Sequence, residues 1–222
     1  MNLRFSAAAV FAILPVAACS TNLPRASSGA SGGRVAPALT VTLQTTVGDI
    51  VLELDPAGAP ISTGNFLNHA LKGHYDGTIF HRTVPGFVIQ GGGFNPDLTD
   101  RGRIAKEAGR PDDTIVNEWS ASSGGNLKNL RGTVAWARDA QPDTATREFY
   151  INTADNAKLD TPREATGRVG YAVFGRVVKG MDVVDAIERG ATIERLDLMP
   201  EDGGMKNVPV TPVVIRAVRV KR

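Results

Sequence analysis

The sequence FHRTVPGFVIQGGG, residues 80–93, lies in the middle of a chain that is rich in short β-forming segments. It overlaps two of these segments, residues 78–81 and residues 86–90. Its glycines at 91–93 could be mistaken for a phosphate-binding loop, but no Lys-Ser or Lys-Thr pair follows them and no helix-forming segment comes next. We therefore interpret the glycine run as a turn in which two backbone segments approach closely.

The segments on either side continue this β-rich pattern. Apolar and polar residues alternate over residues 39–45, and a second strand at residues 50–54 follows a tight turn at 47–49, which predicts a hairpin. Further strands are predicted at residues 132–137, 148–151, 171–178 and 213–220.

Two segments have apolar residues at the spacing of helices. Ser62 or Thr63 can cap a helix whose apolar positions begin at Phe66, and Gly73 is expected to end it. Residues 181–188 form the second predicted helix. Many short strands with two helices indicate a mainly β fold, a closed antiparallel β-barrel of about eight strands whose open ends are capped by the two α-helices.

The composition argues against several classes of protein. Lys and Arg number 25 against 23 Asp and Glu, a near balance that is not typical of proteins whose main ligand is nucleic acid. The single cysteine, Cys19, excludes an internal disulfide, and the three histidines lack the spacing of a zinc-binding helix motif. The acidic residues of the long polar stretch at residues 95–123 lack the spacing of a calcium loop. We expect no metal site and no cofactor.

Residues 1–18 are predicted to be a signal peptide. Their apolar run, residues 7–18, is shorter than the about 20 residues that a bilayer span needs. Cys19 follows the small residues of this run, as in a bacterial lipobox, so we expect it to be lipidated; a free thiol beyond an ordinary cleavage site is the alternative. Residues 19–38 are rich in Ser, Gly and Ala, which predicts a flexible tether after the anchor, and the globular domain spans residues 39–222.

Four blocks of the sequence resemble the cyclophilins, the barrel-shaped family of peptidyl-prolyl isomerases. The first is FHR-x-x-PGF-x-x-QGG within residues 80–93, followed by NLRGTVAWAR at 129–138, EFYIN at 148–152 and GYAVFGRV at 170–177. The resemblance covers nearly all of residues 39–222 in the same order, and it is strongest to bacterial periplasmic members. It implies the barrel fold and activity on X-Pro bonds without a cofactor.

Rotation about an X-Pro bond must overcome a barrier of about 20 kcal/mol, but it needs neither a nucleophile nor a metal. A fixed cation that donates a hydrogen bond to the twisted amide nitrogen would favour the transition state, and an arginine guanidinium suits this role. The resemblance implies that Arg82 is this cation and that Gln90 holds it in place. The substrate-binding residues implied in the same way are Phe87, Val88, Ala137, Arg138, Glu148, Tyr150, Leu159 and Tyr171.

These binding residues are expected to contact two parts of a substrate. The apolar side chains among them would form a cup for the proline ring. The backbone of Ala137 and Arg138 would pair with an extended peptide.

The chain departs from the family pattern at several positions. Glu148 stands where the family usually has glutamine, and an ionised carboxylate only accepts hydrogen bonds, so we expect it to affect the rate. Such a carboxylate could also pair with Arg82 and compete with substrate. Lys158 and Tyr171 stand where many eukaryotic members have tryptophan and histidine. Residues 160–169 form a longer stretch than in many members.

The expected substrates are proline-containing unfolded or partly folded exported polypeptides. The expected location is the periplasmic side of the cell envelope, anchored in the membrane by lipid at Cys19. Ser20 rather than Asp after this cysteine favours the outer membrane, by resemblance to known sorting behaviour. The alternatives are a chaperone module that binds proline segments with weak or no turnover, and a structural lipoprotein.

Overall fold

A computed structural model describes residues 39–109, 112–120, 127–199 and 203–221. The signal peptide, the lipidated Cys19 and the tether predicted for residues 1–38 lie outside the described residues. Among the residues it describes, no helix is both long and apolar enough to cross a bilayer.

Eight antiparallel strands close into a barrel, which confirms the predicted fold class. These strands are β1 Thr40–Thr45, β2 Gly48–Leu54, β3 Ile79–Val84, β4 Val88–Gly91, β5 Thr133–Trp136, β6 Phe149–Asn152, β7 Val173–Lys179 and β10 Val213–Lys221. Their order around the barrel is β1-β10-β3-β4-β6-β5-β7-β2, and β2 closes it by pairing with β1. The remaining two strands, β8 Thr192–Arg195 and β9 Met205–Pro209, form a separate two-stranded sheet that the sequence patterns did not predict.

The predicted N-terminal hairpin is present. Strands β1 and β2 pair in a register that places Leu43 opposite Ile50, and both side chains are fully buried. The alternation of buried and partly exposed residues along both strands matches the apolar and polar alternation of the sequence. This hairpin therefore contributes one face to the barrel core.

Helix α1, Pro60–Leu71, begins before the predicted cap residues. Neither Ser62 nor Thr63 caps it; both lie buried in its first turns. The N–H groups of Ile61 and Ser62 instead donate to the carboxylate of Glu118, at 2.9 and 2.6 Å. A carboxylate that is distant in sequence thus satisfies the free donors and the positive end of the helix dipole. The helix ends as predicted just before Gly73, whose φ of 68° lies in the left-handed region.

The described residues contain two further α-helices, one more than predicted. Helix α3, Met181–Glu188, matches the prediction and buries Val184 and Ile187. Helix α2, Arg101–Glu107, lies in the stretch interpreted as a polar loop, and it buries no residue. Without an apolar stripe it leaves no periodic signal. The Asp100 carboxylate caps it by accepting from the N–H groups of Gly102 and Arg103, at 2.7 and 3.1 Å.

Phe66 on α1 connects this helix to the barrel core. Its ring lies 5.1 to 5.5 Å, centroid to centroid, from the rings of Tyr75, Phe149 and Phe174. Trp136 stacks on Phe174 at 4.8 Å. These tilted and edge-to-face contacts fill the barrel interior with large apolar area.

Truncation of the buried Phe66 side chain is expected to lower the stability of the domain. Phe66→Ala should lower the free energy of unfolding by about 3–5 kcal/mol, because it removes a fully buried ring and leaves a cavity. Leu71→Ala is the matched control on the same helix. Its side chain is 66% exposed, so a change within about 0.5 kcal/mol is expected. Urea denaturation measures both, and equal losses in the two variants would contradict the role given to Phe66.

Candidate active site

A cavity of about 250 Å³ opens on the barrel surface where strands β3, β4 and β6 adjoin the segments that follow β5 and precede β7. Every site residue predicted for the barrel lines it, with the exception of Glu148. Its lining residues are Arg82, Phe87, Val88, Gln90, Ala137, Arg138, Tyr150, Leu159 and Tyr171.

The strand register brings these residues together from distant parts of the sequence. Arg82 on β3 lies opposite Gln90 on β4, and Gln90 in turn lies opposite Tyr150 on β6. The glycine run beside them is a close approach, as predicted. A Cβ at Gly91 would lie 2.9 Å from the carbonyl oxygen of Ile79, so a larger residue would push β4 away from the neighbouring chain segment.

Apolar side chains form one wall of the cavity. Val88, Tyr150 and Leu159 are buried there, and Phe87 and Tyr171 pack against them as half-buried neighbours. The rings of Tyr150 and Tyr171 meet edge to face at 6.1 Å. This wall has the size and polarity needed to hold a small apolar ring.

Lys158 lies at the rim of this wall. Its ammonium sits 4.2 Å from the centre of the Phe87 ring, a cation–π contact. Lys158 therefore places a positive charge against the apolar wall of the cavity.

The Arg82 guanidinium lies at the polar edge of the cavity. It is partly buried, and this burial lowers its pKa from the usual arginine value, although arginine stays protonated in proteins. Its Nη1 donates to Oε1 of Gln90 at 3.3 Å. Among the described residues, no carboxylate forms an ion pair with it, whereas Arg131, Arg147 and Arg176 each have such a partner. Arg82 therefore keeps hydrogen-bond donors for another ligand.

Glu148 hydrogen-bonds Gln90, and the described residues do not include the ion pair between Glu148 and Arg82 that the sequence left open. The Nε2 of Gln90 donates to Oε2 of Glu148 at 2.8 Å, and Nε2 of His81 lies 3.5 Å from the same oxygen. Glu148 lines a neighbouring groove that shares only Arg82 with the cavity. Burial raises its pKa to about 7, against a smaller lowering by the hydrogen bond from Gln90.

Arg138 makes different contacts from Arg82, although both line the cavity. Its guanidinium donates to the carbonyl oxygens of six residues, which fixes two loops against each other; they are Asp139, Ala140, Gln141, Thr166, Val169 and Gly170. It also lies 4.4 Å from the centre of the Tyr171 ring. The N–H of Ala137 donates to the carbonyl of Glu148 at 2.9 Å, so this donor is not free to pair with a peptide.

Sequence reasoning missed Asn129, which hydrogen-bonds two residues of the apolar wall. Its fully buried amide accepts from the hydroxyl of Tyr150 at 2.7 Å and donates to the carbonyl of Tyr171 at 3.2 Å. It also donates to Asp160 at 2.7 Å. Asn129 stands in the quoted segment NLRGTVAWAR, and a polar residue there, beside a predicted buried strand, was the available signal.

Comparisons with known proteins show the family to which the chain belongs. The family model for "Cyclophilin type peptidyl-prolyl cis-trans isomerase/CLD" matches residues 40–220. The chain is 45% identical to peptidyl-prolyl cis-trans isomerase cyp18 of Streptomyces antibioticus, over 82% of this chain and 98% of that protein. It is 42% identical to isomerase B of Escherichia coli, over 81% and 98% of the two chains.

The fold is also found among solved structures. A cyclophilin type isomerase of Cryptosporidium parvum, crystallised in the presence of the dipeptide Ala-Pro, superposes with a TM-score of 0.61 at 22% identity, over 82% of this chain and 99% of that one. The chain therefore belongs to the cyclophilin-type peptidyl-prolyl cis-trans isomerase family, a family of enzymes that act on proline-containing peptides.

The elevated pKa of Glu148 predicts a pH-dependent stability. A carboxyl group whose folded-state pKa of about 7 lies above its usual 4.5 favours the folded state when protonated, and it loses that contribution as the pH rises between these values. Wild-type stability relative to Glu148→Gln should therefore fall by on the order of 1–3 kcal/mol from pH 4.5 to pH 8. Urea denaturation across this range tests it, and parallel pH profiles for the two proteins would contradict it.

Proposed function

We propose that this isomerase accelerates X-Pro bond rotation in exported polypeptides, with Arg82 as the catalytic residue and Gln90 as its positioning partner. The observation that carries the proposal is a guanidinium without an ion-pair partner among the described residues, held at the edge of an apolar cavity. The proline ring would occupy the wall formed by Val88, Tyr150 and Leu159.

The chemistry follows from the change in the amide during rotation. As the C–N bond twists, conjugation is lost and the nitrogen lone pair becomes available as an acceptor. Arg82 would donate to this nitrogen, and the bond would strengthen only in the twisted state, so it lowers the barrier without tightening ground-state binding. The hydrogen bond from Arg82 to Gln90 restrains the guanidinium before substrate arrives, which is the preorganisation that such stabilisation needs.

The peptide backbone would lie beside the cavity, next to Ala137 and Arg138. Because the Ala137 N–H is already used, the substrate would pair with other backbone groups of this segment. The Arg138 guanidinium is engaged in hydrogen bonds to backbone carbonyl oxygens, so it would hold this segment in place and would not itself bind substrate.

Removal of the cation tests the mechanism. Arg82→Ala should lower kcat/KM by about a hundred- to a thousandfold, the usual loss for one preorganised donor, while the melting temperature stays close to wild type. Arg82→Lys should recover little, since one ammonium cannot reproduce the planar guanidinium. A protease-free assay of a proline-switch peptide measures the rate.

Arg103→Ala is the matched control, because Arg103 is an exposed arginine on α2 and should leave the rate unchanged. Retention of more than about a third of the wild-type rate in Arg82→Ala would assign the chemistry to another residue. A wild-type protein that binds proline peptides without turnover would instead support the chaperone module.

The location at the cell envelope is part of the same proposal. The short apolar run, the following Cys19 and the Ser- and Gly-rich residues 19–38 support a lipid-anchored domain on a flexible tether. Uncatalysed X-Pro isomerisation takes tens to hundreds of seconds, so an isomerase in that compartment would remove a slow step in the folding of exported chains.

Cell fractionation tests the anchor. The wild-type protein should sediment with membranes, and Cys19→Ser should lose the lipid and leave the membrane fraction, because lipid chains supply about 0.8 kcal/mol for each buried methylene. Ser28→Ala, a change within the tether, should stay with the membranes. Mass spectrometry that finds an unmodified mature N-terminus would rule out lipidation.

A further inference from the structure

A second and larger cavity, of about 610 Å³, shares no lining residue with the active-site cavity. It lies between the C-terminal half of α1, helix α2 and the segment that contains Asp112 and Asp113. The isomerase mechanism uses none of its residues. Two of the three histidines of the chain, His69 and His74, line it.

His69, His74 and Asp112 bring three ligand atoms together in this cavity. One atom from each residue lies within 4.8 Å of the other two. The Nδ1 atoms of the two imidazoles are 2.8 Å apart and share a hydrogen bond, so each ring turns this nitrogen towards the other. Zinc–nitrogen bonds of 2.0–2.1 Å place two nitrogens of a tetrahedral site about 3.3 Å apart, so on binding an ion the two Nδ1 atoms would move about 0.5 Å farther apart and both rings would turn towards the ion.

We propose that His69, His74 and Asp112 form a binding site for a divalent transition-metal ion, with water from the cavity completing the coordination. Two imidazoles, one carboxylate and a water form the ligand set of open zinc sites. The ligands come from the last turns of α1, from the loop that leads to β3 and from the segment beyond α2, so the ion would hold these three segments together.

The protonation state of the imidazoles suits this role. Burial lowers the pKa of His69 to about 4, and it also lowers the pKa of His74. Metal ligands must be neutral imidazoles, and binding at neutral pH therefore requires no proton to leave a charged ring. One of the two neutral rings carries its hydrogen on Nδ1, and this ring would change to the Nε2–H tautomer when the ion binds, so that both Nδ1 lone pairs become available without net loss of a proton.

The surroundings of Asp112 also match those of a metal-binding carboxylate. Nε of Arg147 donates to Oδ2 of Asp112, and both side chains are at most a tenth exposed. Such an outer partner fixes the orientation of a ligating carboxylate. Arg101 is likewise engaged, since it donates to the carbonyl of His74 at 3.1 Å and to the side chain of Asn95 at 2.6 Å.

The competing occupant of this cavity is an anion. Arg147, Arg101 and Lys72 place positive charge around the histidines and add to the effect of burial in lowering the pKa of His74. Arg147 is paired with Asp112, and Arg101 donates hydrogen bonds to protein acceptors, so we favour a cation held by the two imidazoles and the carboxylate. Because these three basic side chains line the cavity, binding of phosphate is compared with binding of the metal in the test.

Calorimetric titration of the full chain with Zn²⁺ tests the proposal. All proteins carry Cys19→Ser, so that the single thiol cannot bind the metal. The parent should bind one equivalent, and His74→Ala should weaken binding by about tenfold or more. The matched control is Asp113→Asn, which lines the same cavity outside the cluster and should stay within about twofold of the parent.

Thermal melting provides a second measurement, because a ligand that binds only the folded state raises the melting temperature. Zn²⁺ should raise it for the parent and for Asp113→Asn, but not for His74→Ala, whose metal-free melt shows whether the variant is folded. Absence of zinc binding to the parent would overturn the proposal, as would unchanged binding in His74→Ala. Stabilisation by inorganic phosphate without any by Zn²⁺ would make the cavity an anion site.

Discussion

The buried amide of Asn129 is the constraint on which the active-site cavity depends. It reaches Tyr150 and Asn152 on strand β6, the carboxylate of Asp160, and the backbone of Tyr171. A buried amide without partners is costly, so all four contacts favour one arrangement of the segments. The two tyrosines that form the apolar wall are held by one side chain that does not line the cavity.

At the polar edge of the cavity, Gln90 keeps the charges of Arg82 and Glu148 apart. Gln90 stands between Arg82 and Glu148, accepting from the first and donating to the second. The carboxylate therefore orients Gln90, so that its oxygen faces the guanidinium, without neutralising the guanidinium itself. This arrangement explains how glutamate can replace the usual glutamine. The hydrogen bond from Gln90 stabilises the Glu148 carboxylate, but burial has the larger effect and raises the pKa of Glu148.

The barrel and the cavity residues were predictable because their signals are local or belong to a long motif. Alternation predicts strands β1 and β2, and the motif that contains Arg82 and Gln90 predicts one edge of the site. Contacts between distant residues left no such signal. Glu118 moves the start of α1, and Gln90 separates Glu148 from Arg82. Each of these contacts involves a side chain whose partner is set by the fold.

Helix α1 connects the barrel core to the second cavity, which gives the histidine cluster a physical consequence. Phe66 packs in the core, and His69, three residues later, faces His74 and lies 5.9 Å from the Tyr75 ring, centroid to centroid. Tyr75 in turn packs on Phe66 at 5.1 Å. An ion at His69 would therefore restrain the same helix, α1, whose Phe66 side chain packs in the barrel core. Because it would bind only the folded state, such an ion would raise the stability of the domain.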